Sequence, residues 1–187
     1  MNRHRLRGLP LALVSSLVLF GSGSASAAVT PETTAEAEIQ GLIEEIRKHR
    51  AASRHWQRVM GKSRTRTSFL ERNTDLTGDV TRLTTLRDRW KRKAARLRAL
   101  GWHPPNRAAW RCIQRREGPW DDPRAPYWGG LQMSMQFQRA FGRYLLRVKG
   151  TANRWTPAEQ MWTGERARRA GLGFHPWPNT ARACGLL

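Results

Sequence analysis

Residues 107–120 read RAAWRCIQRREGPW, and the spacing within this stretch decides how the rest of the chain is read. Trp110, Ile113 and the acidic Glu117 recur at intervals of three and four, which puts them on one side of a helix over 107–117. Pro104-Pro105 breaks whatever precedes, Asn106 stands in the capping position, and Gly118-Pro119 stops the helix. Glu117 is the only acid in the stretch. A carboxyl held against aromatic and aliphatic groups loses hydration, which favours its protonated form, the state a general acid needs. The negative pole of the helix dipole acts in the same direction. The other reading of Glu117 is a helix-end glutamate balanced by Arg115 and Arg116.

Beyond Glu117, Asp121-Asp122-Pro123 and Ala125-Pro126 punctuate a loop, with short strand pairing expected over 128–133. Ser134 is placed to cap a helix over 135–147 that turns Phe137, Phe141, Tyr144, Leu145 and Val148 to the core. Thr156-Pro157-Ala158-Glu159 is a capping box with proline in the first turn, opening a helix to about Ala170. The stretch 173–187 reads as coil or short turns. Toward the N-terminus, Ile39, Leu42, Ile43 and Ile46, then Trp56, Val59 and Met60, mark a helix over 36–60. Val80, Leu83, Leu86, Trp90, Ala94, Leu97 and Leu100 mark a second over 80–100. Two amphipathic helices joined by a long connection predict an α-helical hairpin. The chain is therefore expected to be mainly α: a basic helical region over 28–105, then a small helical domain over 106–187.

The first 27 residues read as an export signal. Arg3, Arg5 and Arg7 open it, an apolar run from Leu9 to Phe20 follows, and Ala25-Ser26-Ala27 offers a cleavage site. The remaining roughly 160 residues suffice for one core with a helical appendage, and a secreted location is expected. In an exported chain the two cysteines, Cys112 and Cys184, are read as a disulfide. With His175 they make no convincing zinc set, and no metal or cofactor is expected. The formal charge is +20, and after the signal it divides into +8 over 28–100 and +9 over 101–187, so no basic tail carries it. That excess implies an anionic partner. Export argues against nucleic acid and for the anionic polymers of a cell wall.

Three blocks carry a resemblance: WRCIQRREGPW, YWGGLQM, and TPAEQMWTGERARRAGLGFHPWP followed by Cys184. From Trp110 onward the chain resembles the actinobacterial transglycosylase-like, resuscitation-promoting-factor-type domain, a reduced relative of the lysozyme and lytic transglycosylase superfamily. The resemblance implies a lysozyme-like fold and cleavage of peptidoglycan glycan strands between N-acetylmuramic acid and N-acetylglucosamine. It makes Glu117 the catalytic acid and 127–133 a substrate-lining segment, in which Gly129 and Gly130 let the chain approach sugar and Gln132 hydrogen-bonds it. Tyr127, Trp128 and Trp120 are suited to stacking on pyranose rings, whereas Trp110, Trp162 and Trp177 are expected to be core. Glu165 matches the family's internal glutamate near the catalytic one. A peptidoglycan endopeptidase is a candidate partner. The chain departs from the family in one respect: the family's cysteine sits beside the glutamate, and here Cys112 precedes Glu117 by five residues.

Asp121 and Asp122, besides Glu165, are the candidates for a second carboxylate. A second carboxylate in the cleft would favour a muramidase-type hydrolase, because two carboxyls normally flank the bond in hydrolysis. Asp122-Pro123 also reads simply as a turn. The rival readings are a non-catalytic wall-binding module of the same fold, and a membrane-disrupting protein acting through 36–100.

Overall fold

The computed structural model describes residues 31–74 and 77–187. The expected export signal lies outside the described residues. The chain is mainly helical, in the order α1 (Pro31–Val59), α2 (Phe69–Arg72), α3 (Val80–Gly101), α4 (Arg107–Glu117), β1 (Tyr127–Trp128), β2 (Met133–Ser134), α5 (Met135–Phe141), α6 (Arg143–Lys149), α7 (Pro157–Ala167) and α8 (Pro178–Ala183). The two strands pair antiparallel, with Trp128 opposite Met133.

The N-terminal helices do not form the expected hairpin; they run parallel. Leu42, Ile43 and Ile46 share a cluster with Leu83 and Trp90. Further along, Glu45 pairs with Arg87 at 3.0 Å, the Arg50 guanidinium lies 5.9 Å from the Trp90 ring centre, and Trp56 packs on Gly101. Both helices thus advance in the same direction, and the segment between them must travel back along the pair. Gln57 Nε2 donates to the Ser63 carbonyl at 3.0 Å and to Thr65 Oγ1 at 2.9 Å, Arg50 donates to the Glu71 carbonyl, and Gly78 lies against Ile39. The return covers about 30 Å of helix, within reach of roughly 20 residues even with a helical turn inserted. A connection of that length fixes neither direction, which is why the apolar stripes alone misled.

The return segment also explains a buried polar row on α1. Arg50, Ser53 and Gln57 continue the stripe of Ile46 at intervals of three and four, yet all are buried. Arg50 and Gln57 bond the strap-like return, and Ser53 between them donates to the His49 carbonyl of its own helix at 2.9 Å. Within the strap, Ser68 and Glu71 form a reciprocal capping box that starts α2, with Glu71 Oε2 accepting from Ser68 N at 2.7 Å. That signature stands in the sequence, in a stretch read only as connection.

Residue 106 marks a change of direction, not a break in packing. Trp56, Val59, Met60 and Leu97 belong to the same core as Trp110, Ile113, Met161, Trp162 and Trp177. Trp162 Nε1 donates to the Gly101 carbonyl at 2.8 Å, tying α7 to the end of α3. The expected helix over 135–147 is two helices, broken at Gly142. A Cβ there would lie 2.3 Å from the Trp155 ring, so the indole takes the space a continuous helix would fill. Val148, expected in the core, is 50% exposed. The capping box of Thr156 and Glu159 forms as expected, and α7 continues into a π-helical turn, Arg168–Leu172, with Gly171 at φ 97°. The closing stretch holds α8, which sequence reading missed. Asn106 precedes α4 as expected, at φ 55°, but makes no side-chain cap; its amide donates instead to Glu165 Oε2 at 3.1 Å. Cys112 and Cys184 are joined, S–S 2.05 Å.

Glu159 links the helix pair to the rest. It is buried, its two oxygens accept from Lys149 Nζ at 2.7 and 2.8 Å and from Thr156 N at 2.7 Å, and Oε1 lies 3.0 Å from His55 Nε2 on α1. Burial raises its pKa, but the hydrogen bonds from His55, Lys149 and Thr156 outweigh burial and bring it from 4.5 to about 2. A carboxyl lowered in this way adds stability above its unfolded pKa that is lost as pH falls through the folded one. Glu159→Gln should cost about 3 kcal/mol at pH 7, and the gap in thermal melts should close between pH 4.5 and 2. Gly101→Ala would put a Cβ 2.0 Å from the Trp56 ring. It should destabilise by about 2 kcal/mol or more, and calorimetry should show the helix pair and the C-terminal half losing stability in one transition.

Candidate active site

Three ties lay α8 antiparallel along α4 and fix the surroundings of Glu117. The disulfide joins Cys112 to Cys184, Arg116 Nη2 donates to the Ala183 carbonyl at 3.3 Å, and Thr180 Oγ1 donates to Glu117 Oε1 at 2.7 Å. The five-residue offset between Cys112 and Glu117 is therefore the run of α4 along which α8 lies. Glu117 is half-buried at the end of α4. Arg116 is turned to Ala183, and among the described residues no cation stands within ion-pair distance of the Glu117 carboxylate. Thr180 was missed by sequence reading: a lone threonine in a stretch read as coil carries no local signal.

Gly118, next to Glu117, faces a second polar cluster. A Cβ on it would lie 3.3 Å from both Asp122 Oδ2 and Gln132 Nε2. Asp122 is buried at 2% exposure and gripped by Arg124: Nε to Oδ1 at 2.8 Å, Nη2 to Oδ2 at 2.7 Å, and the Arg124 amide to Oδ1 at 3.1 Å. Gln132 Nε2 adds a bond to Oδ2 at 2.9 Å. Arg124 above all, and then Gln132, hold this carboxyl well below the usual carboxylate range despite burial. Asp122 is therefore an ionised structural anion that accepts hydrogen bonds and has no proton to give. Asp121 beside it is exposed.

Gln132 sits at φ 45° and spends both amide hydrogens internally, on Asp122 and on the Gly129 carbonyl at 3.1 Å. Only its oxygen remains, so toward a sugar it can accept, as from an acetamide N–H, but not donate. Tyr127 is 50% exposed, and with Gln132, Met133, Phe137, Pro176 and Trp177 it lines a shallow pocket of about 100 Å³. Trp177 precedes the first turn of α8, so this pocket and the Glu117–Thr180 pair share an edge of the fold. Trp128 and Trp120 are half-buried against the core, which reduces the ring face either offers a ligand.

Gly129, Gly130 and Glu165 each answer to neighbours that the sequence pattern does not name. Gly129 and Gly130 are buried, and their need for glycine is internal: a Cβ on Gly129 would meet the Gln160 amide at 2.5 Å, and one on Gly130 would meet Gln114 at 2.8 Å and Trp120 at 2.9 Å. The lack of a side chain at both positions fits the loop onto its own neighbours. Glu165 is fully buried, but at the wrong end of α4. It accepts from Asn106, from Trp110 Nε1 at 3.4 Å and from Arg168 and Arg169 at 2.9–3.0 Å. Burial raises its pKa, but Arg168, Asn106 and Arg169 together lower it. The helical rise separates residue 106 from residue 117 by about 16 Å, so Glu165 anchors the start of α4 and does not reach Glu117.

Glu117 is half-exposed; Thr180 steadies one of its oxygens, and among the described residues no side chain bonds the other. Among the described residues no three His, Cys, Asp or Glu side chains gather into a group that could hold a metal. Asp122→Asn should release Arg124 and Gln132 and raise hydrogen exchange across 118–134 by about tenfold or more, with α1 and α3 unchanged in the same mass-spectrometric experiment.

No family model matches the chain, and no curated protein or solved structure matches it.

Proposed function

We propose that the protein is an exported, lysozyme-like enzyme that cleaves the glycosidic bond between N-acetylmuramic acid and N-acetylglucosamine in peptidoglycan, as a lytic transglycosylase with Glu117 as its single catalytic acid. The observation that carries the reading is the isolation of Glu117: each other carboxyl considered for the site is either locked to an arginine, exposed, or at the far end of α4. The resemblance of the three sequence blocks points the same way, and so does the groove edge that Tyr127 and Gln132 share with Trp177.

In this mechanism Thr180 holds Oε1, which leaves Oε2 to carry the proton. Glu117 gives that proton to the glycosidic oxygen as the bond to C1 of the muramyl residue breaks, leaving an oxocarbenium-like centre. The carboxylate then takes the proton of the muramyl 6-hydroxyl as that oxygen closes on C1. The products are a new glucosaminyl 4-hydroxyl and a 1,6-anhydro muramyl end, with no water consumed. The Gln132 oxygen accepts from a substrate acetamide.

Glu117→Gln should lower cleavage of purified peptidoglycan by about 10² to 10⁴ while keeping the parent melting temperature and wall binding. Mass spectrometry of the parent digest should show 1,6-anhydro ends. Reducing ends alone would assign a hydrolase instead, and full activity in the variant would remove Glu117 from the chemistry.

A further inference from the structure

Where the base of the parallel helix pair meets α5–α7, an open groove of about 830 Å³ is lined by Arg58, Lys62, Arg139, Arg143, Arg147 and Arg166, with no acidic residue among its lining. The acid packed behind its Tyr144, Glu159, is already taken by Lys149 and His55. Arg166 is half-buried, its pKa is pushed down by burial, and it donates to the Arg58 carbonyl at 3.4 Å. Lys62 also lines a second groove of about 410 Å³ with Arg92, Lys93 and Arg96, so the basic track continues around the end of α3. So many cations with no acid in the lining make the groove a favourable place for an anion.

We infer that this track binds a flexible linear polyanion with one charge per short repeat, of the polyol-phosphodiester type. A single small anion would engage few of these cations, whereas a chain can meet them in turn. Arg143 and Arg147 follow one another at about 6 Å along α6, Arg139 on α5 lines the same groove, and arginine's planar fork suits phosphate oxygens. Single-stranded nucleic acid is disfavoured because such sites stack bases on aromatic faces, and the groove's one aromatic, Tyr144, already has the Arg58 guanidinium 5.0 Å from its ring centre. The concave shape does not fit a bilayer surface. The site is separate from Glu117, and the inference does not rest on glycan cleavage.

The test measures binding of the intact chain to lipid-free poly(glycerol phosphate) across a salt series, with polygalacturonate and an oligothymidylate as comparison probes. The triple variant Arg139→Gln, Arg143→Gln, Arg147→Gln alters exposed positions and should keep its fold by circular dichroism. It should bind poly(glycerol phosphate) at least about tenfold more weakly, with the slope of log affinity against log salt reduced by about 2. A charge-matched control, Arg82→Gln, Arg98→Gln, Arg107→Gln, should lose much less, and Glu117→Gln should bind as the parent does. Equal losses in the two triple variants would reduce the effect to net charge and overturn the site. Binding to polygalacturonate as tight as to the phosphodiester would overturn the phosphodiester assignment. Tighter binding to the oligothymidylate would assign the track to nucleic acid instead.

Discussion

Trp110 is fully buried, and three separate parts of the chain are built against it. Its Nε1 donates to Glu165 on α7, and the face of its ring rests so closely on Gly164 that a Cβ there would lie 2.9 Å away. Phe174 and Trp177 pack on its other sides, with ring centres at 4.9 and 5.3 Å. An indole of that size removes a large apolar area from water while its one polar atom meets a buried carboxylate, which Arg168 and Arg169 neutralise. The axis of α4 is thereby set at one end, and the ties to α8 set it at the other. Glu117 inherits its position from both.

The loop after α4 obeys a different kind of constraint. Its backbone turns tightly, through Gln132 at φ 45° and Gly129 at φ 72°, and its polar groups are satisfied by its own side chains. Asp122 is the hub: Arg124 and Gln132 donate to its carboxylate, and its carbonyl accepts from Gly129 N at 2.9 Å. Gln160 closes the underside, donating to the Trp120 carbonyl at 2.7 Å. A segment with so many internal bonds resists deformation and keeps its shape beside Glu117.

The features legible in the sequence were those written locally. The 107–117 helix, the capping box at Thr156 and the apolar stripes of α1 and α3 are patterns of neighbours three and four apart, and they survive folding. The cysteine pairing was legible because there was one pair to make. What failed to show was decided by groups distant in sequence. The parallel course of α1 and α3 depends on bonds from Arg50 and Gln57 to a strap with no strong pattern of its own. The break at Gly142 is imposed by Trp155, the glycines at 129 and 130 by Gln160 and Trp120, and the place of Glu165 by Asn106 and Trp110. In the site, the helix that carries Glu117 could be read ahead, but Thr180 and the Arg124 grip on Asp122 could not.

Parallel packing of α1 and α3 has an electrostatic consequence that a hairpin would lack. Antiparallel helices set opposite dipole ends side by side, and their fields largely cancel. Here the fields add, so two carbonyl-bearing ends, each equivalent to roughly half a negative charge, emerge together at the base. Arg166 reaches one of those carbonyls, that of Arg58, and Gly61 N shares it at 3.2 Å. The arginines gathered at this junction therefore stand in a field of backbone origin that partly offsets their mutual repulsion, and the fold holds a dense cationic surface there without acidic side chains to balance it.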